Sequence, residues 1–232
     1  MHLDRVTMTG ADNNTKIEHL WDLSVRYPFV EWGILVSASM MGRERFPSAE
    51  WMKGLPGTPG LSLHLCGKYV RDLLIGNITF PEAWIELFPR IQLNFHAEKN
   101  ECQPVKFAKA LASMGKKQFI FQVDGALGNK HMFDAKAAWS HLDIVPLFDV
   151  SGGAGIVPKQ WPAPMPEFDY HGYAGGLGPH NLNEQIELIA KAAGKEHIWI
   201  DMETHVRSLN DFVFDLGKVG HCLEIAKPFV TA

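Results

Sequence analysis

The stretch that decides the fold is "YHGYAGGLGPHNLNEQIELIAKAAGKEHIWIDM", Tyr170 to Met202. A short β-rich run, "YHGYAGG", leads into "NLNEQIELIAKAAG", whose apolar residues recur at helical spacing, and "HIWIDM" follows as another short β-rich run. Strand, helix and strand in succession is the pattern of two parallel strands joined by a covering helix. Outward from this unit the same rhythm continues in both directions. "RVTMTG" precedes "TKIEHLWDLSVRY", "VEWGILVSAS" precedes "AEWMKGL", "LSLHLCG" precedes "KYVRDLLIG", and "IQLNFHA" precedes "QPVKFAKALASMG". "QFIFQVDG" precedes "MFDAKAAWSHL", "IVPLFDV" precedes a glycine turn and a proline-rich excursion, and "GKVGHCLEIAKPF" follows the eighth strand.

Eight strand candidates in a 232-residue chain give units of about 29 residues. The expected fold is an α/β (β/α)8 TIM barrel of the phosphate-binding type, a single domain over residues 1–232. A doubly wound open sheet is the competing architecture. The second unit is the weakest, with room for a helix of only a turn or two. The excursion Pro158 to Pro166 is too rich in proline for a helix and is expected to form an ordered flap or contact surface beside the barrel mouth.

Apolar residues make up 46% of the chain and charged residues 21%, a globular balance, and the net charge of −4 offers no basic field for nucleic acid. Cys66, Cys102 and Cys222 form an odd set without a CxxC pair, so a disulfide framework is not expected and a reducing, cytoplasmic location fits. The first residues, "MHLDRVTMTG", lack a basic segment followed by an apolar one, and no apolar run approaches the roughly 20 residues of a membrane span.

Functional groups of a barrel sit at the carboxyl ends of its strands. Polar residues there are Thr7, Thr9, Ser37, Ser39, His64, Cys66, Asn94, His96, Gln122, Asp124, Asp149, His171, Asp201 and Glu203. "PLFDVSGGAG", Pro146 to Gly155, places Asp149 at a strand tip and then removes side chains at Gly152, Gly153 and Gly155. Turns this rich in glycine, with a helix N-terminus behind them, hold an anion on backbone N–H groups. "AGGLGPHN" repeats the device after the seventh strand, with Asn181 or Asn183 as the helix cap.

"PLFDVSGGAG", "YAGGLGPHNLNEQI", "IDMETHVRS" and "DLGKVGHCLEIAKPF" resemble, in order and spacing, the last third of the phosphoribosylanthranilate isomerase family of tryptophan biosynthesis, over Pro146 to Phe229. Upstream, "GRERFPSAE" and "IQLNF" resemble the family's arginine loop and fourth strand. The resemblance implies a cofactor-independent sugar-phosphate isomerase acting by an Amadori rearrangement. It makes Asp149 the acid that protonates the ribose ring oxygen and Arg45 the clamp on a substrate carboxylate. It makes Gly153, Gly155, Gly175, Gly176, Thr204 and His205 the phosphate pocket, and Asp201 the eighth-strand aspartate that contacts substrate.

The family's base is a cysteine on the first strand, and this chain has Thr9 there, with Thr7 in place of a lysine. A threonine hydroxyl is far too weakly acidic to replace a thiol of ordinary pKa ~8.5. Cys66 is then the substitute base, lowered by an imidazolium on His64, unless it is simply a small buried hydrophobe; Asp124 is a further candidate base or substrate contact. His205 and Arg207 stand where the family has glycine and glutamate, and could reinforce anion binding or block it.

No metal or other cofactor is expected, although His64, His96, Asp124 and Asp149 admit a metal reading without the spacing that would support it. The partner expected is a small phosphorylated substrate, with neither nucleic acid nor membrane; a homodimer, with Trp161 as a contact, stays open. The alternative function is a lapsed or repurposed barrel that binds a phosphorylated ligand. A lyase or aldolase would want a strand-tip lysine, and none is seen.

Overall fold

The computed structural model describes residues 1–96, 99–124, 129–149 and 154–231. Eight strands form a closed parallel barrel in chain order: β1 (His2–Thr9), β2 (Val30–Ser37), β3 (Leu61–Cys66), β4 (Arg90–Asn94), β5 (Gln118–Val123), β6 (Asp143–Phe148), β7 (Tyr170–Ala174) and β8 (His197–Met202). The ring closes through β1 and β8, where Thr7 faces Asp201 and Met8 faces Met202. Every expected strand is present; β1 starts earlier, at His2, and pairs there with His197.

The helices are α1 (Ile17–Arg26), α2 (Ala49–Met52), α3 (Lys68–Leu74), α4 (Glu82–Leu87), α5 (Pro104–Ser113), α6 (Lys130–Ala138), α7 (Leu182–Ala193) and α8 (Leu216–Ala226). Their distribution departs from one per strand. α2 is a single turn capped by Ser48, which accepts from the Trp51 N–H at 3.1 Å. Two helices, α3 and α4, follow β3, and α4 was not anticipated because it is barely longer than a turn and starts after a proline.

Among the described residues, no helix lies between β6 and β7. The proline-rich segment takes that place. Trp161 is buried and donates to Gln185 of α7 at 3.0 Å, and Tyr173, on the outer face of β7, donates to the Pro162 carbonyl at 3.1 Å. From Trp161 onward the segment is therefore a cover on the outside of the sheet, while its first residue, Pro158, lies beside Gly175. Trp161, buried there, offers no surface to a second copy.

α7 behaves as its periodicity predicts: Leu182, Ile186, Ile189 and Ala193 are buried, and Gly194 ends the helix at φ +64°. Outward-facing strand residues such as Ile34, Leu63, Ile91, Phe119 and Ile198 join the helices in the main core. The barrel lumen is different. Ile120, Val145, Leu147, Ala174 and Trp199 form an apolar half, contributed by β5 to β8.

Strands β1 to β4 instead direct Thr7, Thr9, Glu31, Ser62, His64, Arg90 and Gln92 inward, all nearly or fully buried. Glu31 accepts from Arg90 at 2.6 Å, Thr7 at 2.8 Å and Arg5 at 3.0 Å. The Arg90 guanidinium lies 4.5 Å from the centre of the Trp199 ring. Burial alone would raise the Glu31 carboxyl, but the charges of Arg90 and Arg5 outweigh it and hold it below the usual range. These groups fill the lower lumen as an ionic floor.

Candidate active site

Above that floor a cavity opens at the carboxyl ends of β4 to β8. Alternation along the strands brings its side chains together: Gln92 and Asn94 from β4, Gln122 from β5, Asp149 just beyond β6, and Asp201 with Glu203 at the end of β8. The turns after β7 and β8 complete the wall with Gly175, Gly176, Thr204 and His205, and Gly155 contributes from the turn after β6. Of the expected site residues, Asp149, Asp201, Gly155, Gly175, Gly176, Thr204 and His205 thus line one cavity. Gly153 lies outside the described residues.

The two aspartates differ in their surroundings. Asp149 accepts from Gln122 Nε2 at 3.2 Å. Asp201 accepts from the Thr9 hydroxyl at 2.8 Å, a buried contact between residues at opposite ends of the chain. Burial pushes the Asp201 carboxyl up to about 8, against the hydrogen bond from Thr9, and the negative charges of Glu203, Glu31 and Asp149 push the same way.

The glycines answer a packing need. Gly175 and Gly176 have φ +123° and +63°, and a Cβ at Gly176 would stand 2.5 Å from the Val157 nitrogen. Bare backbone there lets the turn after β7 lie directly on the segment after β6. Asn181, expected as a helix cap, turns back instead: it accepts from Gly178 N–H at 3.0 Å and donates to the Gly176 carbonyl at 2.9 Å. That fixes the shape of the loop and occupies the Gly178 N–H.

His205 neither leaves the pocket nor fills it. Its Nε2–H donates to the Gly155 carbonyl at 3.1 Å, tying the turn after β8 to the turn after β6 along the cavity wall. Arg207 is turned away altogether. Its side chain is fully buried, donates to Asp12 Oδ2 at 2.8 Å and to the Gly10 carbonyl, and belongs to the frame beneath the β1 loop. A two-stranded hairpin, β9 (Arg207–Ser208) and β10 (Val213–Phe214), carries it.

Three expected residues do not reach the cavity wall. Arg45 is held by Asp211 at 2.5 Å and by Glu203, so its charge meets the cavity only through Glu203. Asp124 pairs with the imidazole of His96, which does line the cavity. Cys66 receives a hydrogen bond from Asn94 Nδ2 at 3.3 Å. The activation expected for that thiol does not occur: burial drives His64 down to about 3, leaving it neutral, and drives Cys66 up to about 12.

His171 also departs from expectation. It lies on the outer face of β7, stacked 5.9 Å from Phe148 and bonded to the Met165 backbone, because Tyr170 and Ala174 take the inward positions. Gln92, Asn94, Gln122 and Glu203 are polar cavity residues given no role in advance, and Gln92 was not among the expected strand-end residues at all. The i, i+2 pattern of "QLN" and of "DME" held the signal for Gln92 and Glu203.

The barrel can now be set beside known structures. Its fold is similar to that of phosphoribosylanthranilate isomerases. A monomeric form of the dimeric phosphoribosylanthranilate isomerase from Thermotoga maritima matches 98% of this chain over 100% of its own, with a TM-score of 0.56 and 18% identity. The N-(5'-phosphoribosyl)anthranilate isomerase from Pyrococcus furiosus gives the same coverage and TM-score at 15% identity. No protein-family model matches the chain, and no curated protein matches it by sequence. Identity this low carries the fold and nothing finer.

Proposed function

We propose that the protein is a phosphoribosylanthranilate isomerase-like enzyme that converts an N-glycosylamine of a phosphorylated sugar into an aminoketose without a cofactor. The single observation that carries this reading is the meeting, around one cavity, of two strand-tip aspartates with the glycine turns that follow β6 and β7. In this reading the turns at Gly155, Gly175, Gly176, Thr204 and His205 take the sugar phosphate, joined by Gly153. Asp149 donates a proton to the ring oxygen as the sugar opens.

Chemistry of this kind needs only positioned proton donors and acceptors, because the oxidation of one carbon is balanced by reduction of its neighbour. Three unpaired cysteines support a cytoplasmic enzyme, and no described helix is long and apolar enough to cross a membrane. We take residues 1–232 as one domain.

Turnover of phosphoribosylanthranilate by the wild type and by Asp149→Asn tests the reading. The variant is expected to lose about 10²- to 10⁴-fold in kcat, the usual worth of a positioned acid. An inert wild type removes the isomerase function.

A second reading, a lapsed barrel that only binds a phosphorylated ligand, draws on Arg45, whose guanidinium is already met by two carboxylates. Wild-type turnover separates the two readings, and within the isomerase reading Glu203→Gln tests Arg45. With that competitor neutralised, KM for a substrate bearing a carboxylate is expected to fall by about 1 kcal/mol, roughly fivefold, if Arg45 is the clamp. Unchanged KM would assign Arg45 to the scaffold.

A further inference from the structure

An Amadori rearrangement requires a group to take the proton from the second sugar carbon, and Cys66 is disqualified by its burial and by a neutral neighbour. The cavity holds another group in a suitable place. Asp201 lies at the top of β8, lines the cavity together with Asp149, and has one carboxylate oxygen fixed by the Thr9 hydroxyl at 2.8 Å. We propose that Asp201 is the catalytic base of this barrel and that Thr9 is the residue that positions it.

This assignment rests on the isomerase reading and completes its proton balance. Asp149 gives a proton to the ring oxygen, the bond from that oxygen to the first carbon breaks, and the nitrogen lone pair forms a carbon–nitrogen double bond. Asp201 then removes the hydrogen on the second carbon. The freed pair forms a double bond between the first and second carbons, and the carbon–nitrogen π pair returns to nitrogen. The resulting enolamine loses its hydroxyl proton and gains one at the first carbon. The second carbon ends as a ketone, the first as a methylene, and no outside oxidant or reductant takes part.

Thr9 cannot be the base, but its hydroxyl suits the supporting role. It donates to one oxygen of the Asp201 carboxylate, and the bare strand at Gly33 gives it room: a Cβ there would stand 2.7 Å and 2.9 Å from two atoms of the His64 ring and closer still to the Thr9 oxygen. Burial next to other carboxylates makes Asp201 a stronger base than an exposed one, which matters for a proton on carbon.

The groups that act on it are Thr9 from β1, Glu31 from β2, Asp149 beyond β6 and Glu203 just past its own strand, with Arg45 set against Glu203; neutral His64 from β3 packs with Thr9 at Gly33. His96, with Asp124 paired to it off the wall, and His205 also line the cavity; β7 presents the uncharged Ala174. A base must be ionised to act. With its carboxyl pushed up to about 8, Asp201 gains activity as pH rises through that value; a proton donor at the same place would lose it.

The test is the pH profile of kcat/KM for phosphoribosylanthranilate with the wild type, Asp201→Asn, Asp201→Glu and Thr9→Val. The wild-type rate is expected to climb through about pH 8. Asp201→Asn should lose at least a hundredfold in kcat while still melting cooperatively and still being stabilised against heat by inorganic phosphate, and Asp201→Glu should recover part of the loss. Thr9→Val should lower kcat with little change in KM and move the rising limb to higher pH, because the lost hydrogen bond had favoured the ionised form. A rate that falls through pH 8, or an Asp201→Asn protein within tenfold of wild type, overturns the assignment and leaves the isomerase reading standing. An inert wild type overturns both.

Discussion

Glu31→Gln is expected to destabilise the protein by about 3–5 kcal/mol, the usual consequence of removing one partner from a buried ion pair. The Arg90 side chain is only 4% exposed, and Arg5 is partly covered beside it, so two guanidinium groups would lose the carboxylate that compensates them. For a chain of this length the melting temperature should fall by on the order of 10 °C. The effect has a predictable pH dependence. The folded Glu31 carboxyl titrates below its ordinary value, so the stability it contributes is present above about pH 4 and lost as pH falls through the folded value. Thermal unfolding at pH 7 and in acid should therefore show the wild type and Glu31→Gln converging as the solution is acidified. Equal melting temperatures at neutral pH would mean that the arginines are solvated by some other route.

Gly33→Ala is expected to damage stability and turnover together. The position is an ordinary inward-facing strand site, so the alanine backbone is unstrained, and the whole effect comes from the new methyl group meeting Thr9 and His64. Both side chains are buried, but the closest approach by far is to the Thr9 oxygen, so Thr9 is the side chain that must move most. Overpacking of this kind costs about 1–3 kcal/mol. Displacement of Thr9 also releases Asp201, so kcat should fall by more than tenfold while phosphate protection survives. Gly220→Ala is the control: a Cβ there meets nothing within 4 Å in α8, and helix propensity favours alanine by up to about 1 kcal/mol. If Gly33→Ala melts and turns over like that control, the close packing of Thr9, His64 and Gly33 is not what holds the site.

The barrel was legible because its signals are local. The alternation in "HIWIDM" and the helical period of "NLNEQIELIAKAAG" each lie within one element, and eight repetitions leave few ways to arrange them. Asp149 and Asp201 were legible for the same reason, as polar residues ending apolar runs. Contacts across the ring were not. Thr9 and Asp201 are 192 positions apart, and Arg45 and Glu203 are 158 apart, so nothing near either residue announces its partner. Arg45 was read as a clamp for an external carboxylate, and nothing near it in the sequence announced that Glu203 and Asp211 also meet it in the folded chain.

His171 and Cys66 show two other limits. His171 went wrong by parity: in "YHGYA" the inward set is Tyr170, Gly172 and Ala174, and a shift of one residue exchanges the faces of a strand. Cys66 was correctly placed in the barrel wall, but its acidity depends on how much water reaches it and on the charge of His64, both properties of the finished core. The cover over β7 could not be read as such because a proline-rich segment carries no period that says which surface it will lie on.

The filled base of the ring has one more consequence. With Trp199, Arg90 and Glu31 closing the lower bore, whatever reaches the aspartates does so from the rim, and the product must retrace the same path. Access to Asp149 and Asp201 is therefore set by the loops of the rim, and substitutions in the lower bore should act on stability rather than on entry.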